Sequence, residues 1–178
     1  MRVEKIDAFV LVRSTGPGQL AKIFALPSTD AVNVRFHTRL VGRYDALIVL
    51  EADRLQDIQD WVLDDLRSLG RASTETLIGI IPVPNGIKRL AYVHPNLASY
   101  VRIRVRRGQA LRVLAEIQEV PGVTGANVVA GAVDLLVEIT SPTLQGLRDA
   151  ILEMQAIEGI RSTESLLAAP SASSSGAG

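Results

Sequence analysis

GRYDALIVLEADRLQDIQDWVLDDLRSLGRASTETLIGII, residues 42–81, reads as strand, helix, strand. The helix runs from about Leu55 to Leu69. Leu55, Ile58, Val62, Leu66 and Leu69 keep an i, i+3, i+4 spacing, with Asp57, Asp60, Asp64 and Arg67 opposite. Asp53 is its expected N-cap and Gly70 its stop. Trp61 falls on the outer side, beside Val62, where it reads as a packing or subunit contact. Residues 131–169 repeat the plan. Gly42 and Gly131 are 89 residues apart, as are Asp45 and Asp134, and Ser73-Thr74-Glu75-Thr76 and Ser162-Thr163-Glu164-Ser165. A shared offset across separate signals points to internal duplication.

Working outward, residues 5–13 form a β-branched run, a strand buried on both faces. Pro17 opens a short helix bearing Leu20, Ile23 and Phe24. In the strand at 31–41, Val32, Val34 and Phe36 alternate with Asn33, Arg35 and His37, and Gly42-Arg43 turns the chain into strand 44–52. The order is β-α-β-β-α-β, the split βαβ plan. Residues 100–106 alternate strictly, and residues 108–119 form a helix with Leu111, Leu114 and Ile117 inside. Strands follow at 123–130 and 132–140. Ser141 caps a helix lined by Leu144, Leu147, Ile151 and Met154, and 160–168 is the last strand. The predicted fold is α+β: two tandem ferredoxin-like (βαββαβ) units, residues 1–83 and 98–169, their antiparallel sheets packed face to face. Residues 84–97 are the linker, with an extra edge strand at 89–93 as the alternative, and 170–178 a disordered tail.

Composition excludes several classes. Apolar residues make up 47% of the 178 residues and charged ones 21%, as a packed domain requires. Nineteen basic residues balance nineteen acidic ones, so no net charge draws the chain to nucleic acid or an anionic membrane. Without Cys there is no thiolate chemistry or Cys-ligated metal, which fits a cytoplasmic location. No apolar run approaches the roughly 18 residues of a membrane span. His37 and His94, the two histidines, have no acidic or second His partner at ligand spacing. No nucleophile elbow or phosphate-binding glycine loop occurs. No catalytic residue, metal or cofactor is expected.

Gly42, Tyr44 and Asp45 in the hairpin, Leu47, Ile48 and Val49 behind it, and Ser73-Thr74-Glu75-Thr76 in the following strand resemble the C-terminal effector-binding (RAM) domain of the Lrp/AsnC family. The likeness covers residues 5–83. It extends more loosely to the second unit through Pro121-Gly122-Val123, Gly131, Asp134 and Ser162-Thr163-Glu164. Such regulators usually carry a helix-turn-helix, and none fits here. The resemblance therefore implies a duplicated effector-sensing and oligomerising half, binding an amino acid or small carboxylate near the hairpins. A homo-oligomer, and pairing with a separate helix-turn-helix regulator, are implied partners. The ligand-binding residues so implied are Gly42, Tyr44, Asp45, Thr74, Thr76, Gly131 and Asp134, and Arg104 of the alternating arginine row joins them as a candidate.

Each has a plainer reading. Asp45 and Asp134 can accept backbone N–H groups of the hairpin or receive an effector's ammonium. Tyr44 can pack under the loop or offer its hydroxyl to a pocket. Arg102, Arg104 and Arg106 alternate with Val101, Ile103 and Val105, and the first unit has Phe9, Leu11 and Arg13 at the expected matching places. The row is either a cross-strand ion-pair ladder with Glu138 and Glu164 or a carboxylate- or phosphate-binding cleft. The leading expectation is a non-enzymatic Lrp/AsnC-like sensor and oligomerisation protein acting in regulation. The alternatives are an enzyme of the dimeric α+β-barrel kind, using His37, Tyr44, Tyr92 and the Arg row, or a structural scaffold.

Overall fold

The computed structural model describes residues 5–14, 16–70, 72–80, 90 and 97–169. Its order is β1 (Ile6–Arg13), α1 (Pro17–Phe24), β2 (Val32–Val41), β3 (Ala46–Ala52), α2 (Leu55–Asp60) running into a π-helical segment (Trp61–Leu66), and β4 (Ser73–Gly79). There follow β5 (Leu97–Val105), α3 (Ala110–Gln118), β6 (Val123–Ala130), β7 (Leu135–Ser141), α4 (Leu144–Gln155) and β8 (Ile160–Ala168). The strands close into one barrel, β1-β3-β2-β8-β5-β7-β6-β4. Two short seams close it: Leu40 and Val41 against Ala168 and Leu167, and Ile78 and Gly79 against Ala130 and Val129. All strand pairs are antiparallel.

β1 is apolar on both faces because each face has its own core. Ala8, Val10 and Val12 of β1 pack under α1 and α2, with Leu20, Ile23, Ile58 and Leu66. Val101, Ile103 and Val105 of β5 pack under α3 and α4. The opposite faces meet inside the barrel, where Phe9, Leu11, Leu47, Val49 and Leu77 face Tyr100, Val129, Leu136 and Leu166. Burial on both sides explains the uninterrupted apolar run in β1.

The two halves follow the same registers. Leu11 pairs with Leu47 and Glu75, and Arg102 pairs with Leu136 and Glu164. Asp45 accepts from the Ser14 amide at 2.7 Å, and Asp134 from the Val105 amide at 2.8 Å. Leu11 thus answers to Arg102, and Arg13 to Arg104, one pair along from the match expected from sequence. The hairpin glycines differ in crowding. Gly42 (φ 132°) has open space around it. A methyl at Gly131 (φ 148°) would meet Leu77 Cδ2 at 2.7 Å.

Five local expectations need correction. A β-bulge between Val34 and Phe36 breaks the alternation in β2 and turns Phe36 towards the barrel interior. Trp61 is not outside: it is 3% exposed within the core of the first half. It stands 89 residues before Ala150 of α4, and the helix carries the larger side chain on a π turn, which is wider than an α turn. Leu111 is 61% exposed, and Val113 takes its place beside Leu114 and Ile117. Arg54, not Asp53, is the N-cap of α2, with no side-chain bond. Thr143, not Ser141, caps α4, accepting from the Gly146 amide at 3.1 Å, while Ser141 accepts from the Thr143 amide. The expected tail and most of the linker lie outside the described residues.

Candidate functional site

The two hairpins, 42–45 and 131–134, flank a cleft of about 300 Å³ at one end of the barrel. Arg102 of β5 points inward from the second half, and its guanidinium, 4% exposed, donates to both Glu75 of β4 and Glu164 of β8. The two carboxylates occupy corresponding places in the two halves. One arginine therefore bridges them, while the first half has Leu11 in the equivalent position. Tyr44, buried beside them, donates its hydroxyl to the second oxygen of Glu75. The Arg102 guanidinium lies over the Tyr44 ring at 5.2 Å from its centroid, with Arg43 at 5.6 Å and Arg13 at 5.8 Å.

Nearer solvent, Arg43 Nη1 lies 4.0 Å from Glu164 Oε1. Arg104 Nε donates to the Ala132 carbonyl at 2.9 Å, and Arg13 Nε to the Arg43 carbonyl at 3.1 Å, so equivalent arginines brace both hairpins. Ser162 and Thr163 complete the polar wall, and Ala132 and Val133 the apolar one. Among the described residues, three lining guanidiniums (Arg43, Arg102, Arg104) against two carboxylates (Glu75, Glu164) leave one positive charge. Glu75 is held by Arg102 and Tyr44 together. Glu164, with a side chain 36% exposed, is the more accessible carboxylate.

Burial raises the Tyr44 pKa above its ordinary 10, the bond to Glu75 raises it further, and the charge of Arg102 opposes both. The phenol therefore stays protonated at neutral pH. A folded-state pKa above the unfolded one contributes stability that is complete below pH 10 and is lost as pH rises beyond it. Urea unfolding between pH 8 and pH 11 should show this loss, and Tyr44→Phe should show a smaller fall over the same interval.

Of the candidate ligand-binding residues, Gly42, Tyr44, Gly131 and Arg104 gather at or beside the cleft. Asp45 and Asp134 accept from the Ser14 and Val105 amides, at the ends of the neighbouring β1 and β5, rather than from the backbone of their own hairpins. Thr74 and Thr76 face the other way: they stand opposite Val12 and Val10, whose side chains lie under the helices. The arginine row divides. Arg102 makes the cross-strand pair with Glu164, Arg104 is exposed on the cleft rim, and Arg106 falls beyond the strand. Glu138 stands opposite Tyr100 rather than Arg102 and accepts from Thr124 Oγ1 at 2.8 Å. His37 lies elsewhere, stacked on Phe24 at 4.4 Å, its pKa lowered by burial. Tyr92 and His94 lie outside the described residues. Sequence reasoning missed Glu75 and Arg43 as cleft residues. The repeated Ser-Thr-Glu signal contained Glu75, but the neighbouring threonines drew attention to the wrong strand face.

The closed eight-stranded arrangement is that of an α+β barrel, formed here within one chain. The family model of the Lrp/AsnC ligand binding domain matches residues 98–175. No curated protein matches the chain. Among solved structures, a mutant chlorite dismutase from Candidatus Nitrospira defluvii is similar at a TM-score of 0.64 and 14% identity, covering 96% of this chain and 92% of that one. A second mutant of that enzyme has a TM-score of 0.63 and 15% identity, covering 93% and 91%. An anthrone oxidase-like protein has a TM-score of 0.58 and 11% identity, covering 92% and 90%. At these identities the likeness is one of fold. It overturns the leading expectation of a non-enzymatic sensor in regulation, because the whole-chain fold is shared with a named enzyme. The α+β-barrel alternative is the better supported. No described helix is long and apolar enough to cross a membrane.

Proposed function

We propose that the chain is an α+β-barrel enzyme that binds a small monoanionic carboxylate in the hairpin cleft and transfers a proton on it. The observation that carries this is the Arg102–Glu75–Glu164–Tyr44 cluster, set beside a cleft with one excess positive charge. In this reading Arg43 and Arg104 receive the substrate carboxylate, for which a planar guanidinium offers paired donors. Glu164 is the base. It takes a proton from an acidic C–H of the substrate, and the electron pair left there is stabilised by the neighbouring Arg43 charge. Arg102, Glu75 and Tyr44 hold Glu164 in place as positioning residues. The Lrp/AsnC ligand-binding match at 98–175 supports small-molecule binding in the half that supplies Arg102, Arg104 and Glu164. We assign the barrel to two tandem ferredoxin-like units, 1–83 and 98–169, joined by 84–97.

The test is proton exchange. Small 2-oxo and 3-oxo carboxylates are incubated with the protein in deuterated buffer, and NMR follows loss of the C–H signal. Catalysed exchange with at least one of them is expected, abolished in Glu164→Gln and shifted to higher KM in Arg104→Gln. No exchange across the panel, or exchange indifferent to Glu164→Gln, sinks the assignment.

A further inference from the structure

A second depression lies on the other side of the C-terminal sheet, between α4 and the helix-facing residues of β5 and β8. Its volume is about 350 Å³, within the size range of small-molecule pockets. Leu144 is 63% exposed, Val41 58% and Leu152 50%, and all three line this one groove. Large apolar side chains gathered at one concavity are unlike scattered surface leucines. Arg148 stands among them on α4 and makes no ion pair among the described residues.

The corresponding place in the N-terminal half supplies an internal control. Ile151 of α4 answers to Val62, 89 residues before it. Val62 is 6% exposed and fills its half's core, whereas Ile151 is only half-buried. Met154, 0% exposed, takes the core place that Leu66 holds on the π turn. Arg148 replaces Gln59. At this place the second half leaves Ile151 partly open and adds one cation.

We infer that this groove is a binding site for an aliphatic carboxylate of medium chain length. The chain lies along the floor formed by Leu147, Ile151 and Leu167, and the carboxylate meets Arg148 at the rim. An apolar floor with one uncompensated guanidinium is complementary to an amphiphilic monoanion. A second copy of this chain would bring a second Arg148 to the same rim, and like charges would oppose each other.

The probes are octanoate, hexanoate, octanol and acetate, titrated calorimetrically. Octanoate is expected to bind saturably. Hexanoate should bind more weakly by about fourfold for each missing methylene, and acetate should not bind at this site. Arg148→Gln should weaken octanoate about tenfold or more and leave octanol unchanged. Leu144→Asp, on a well-exposed side chain, should abolish both while circular dichroism stays native. Arg43→Gln should change nothing, since it touches only the hairpin cleft. Affinity independent of chain length, indifference to Arg148→Gln, or loss in Arg43→Gln would each overturn the inference. So would a dimer by light scattering that Leu144→Asp converts to monomer, because a second copy would then be the occupant.

Discussion

Arg102→Met is expected to destabilise the protein by about 3–5 kcal/mol, the usual consequence of removing one partner from a buried ion pair. Arg102 is 4% exposed and serves two carboxylates. Methionine restores much of the side-chain volume, so the loss is electrostatic rather than a cavity. Glu75 and Glu164, 25% and 36% exposed, keep some solvation, which places the effect towards the lower end of that range. Tyr44 also loses the guanidinium over its ring. Urea midpoints at constant slope measure the change. The triple variant Arg102→Met, Glu75→Gln, Glu164→Gln should recover a large part of the loss, because no unpaired carboxylate then remains at the sheet interface. A single variant as stable as the parent would mean that the two carboxylates do not depend on Arg102.

Periodicity made the strand and helix order legible, because each element carries apolar residues on faces set by its own repeat. Glycine, aspartate and glutamate recur at one offset, and the positions so related hold equal strand registers in the two halves. Side-chain direction at irregular points was not legible. The bulge at Val34 and Phe36 resets the strand's parity, and no residue type there announces it. Trp61 reads as exposed on an ideal α-helix and is buried on a π turn, which nothing in the local pattern marks. The cleft failed for a different reason. Glu75 meets Arg102 only because β4 and β5, which do not pair with each other, face each other across the barrel. Cross-strand neighbours within one sheet can be narrowed from strand order, which put Glu138 and Glu164 beside the arginine row although only Glu164 stands opposite Arg102, but contacts between facing sheets depend on how the sheets are set against each other.

Leu90→Ala should cost about 2–5 kcal/mol, the range for truncating a buried leucine. Leu90 belongs to the segment expected from sequence to be a linker, yet it is 0% exposed and packs with the barrel-interior residues. Its amide donates to Asn127 Oδ1 and its carbonyl accepts from Arg35 Nη2, both at 3.2 Å. Arg35 in turn pairs with Asp7 at 3.4 Å. The backbone is thus fastened on both sides, and the surrounding strands are hydrogen-bonded into a closed ring. Neither can move far to fill the space left by the missing carbons. Limited relaxation puts the effect in the upper part of the range, because the cost grows with the cavity that remains. Asp7 lies towards the start of β1, with Arg35 of β2 paired to it, whereas the hairpin cleft lies beyond the far end of β1 at Arg13. Leu90→Ala should therefore lower the unfolding midpoint while leaving carboxylate exchange per folded molecule unchanged. Parallel loss of exchange under folding conditions would show that the barrel interior, and not the hairpin cleft alone, shapes the reaction site.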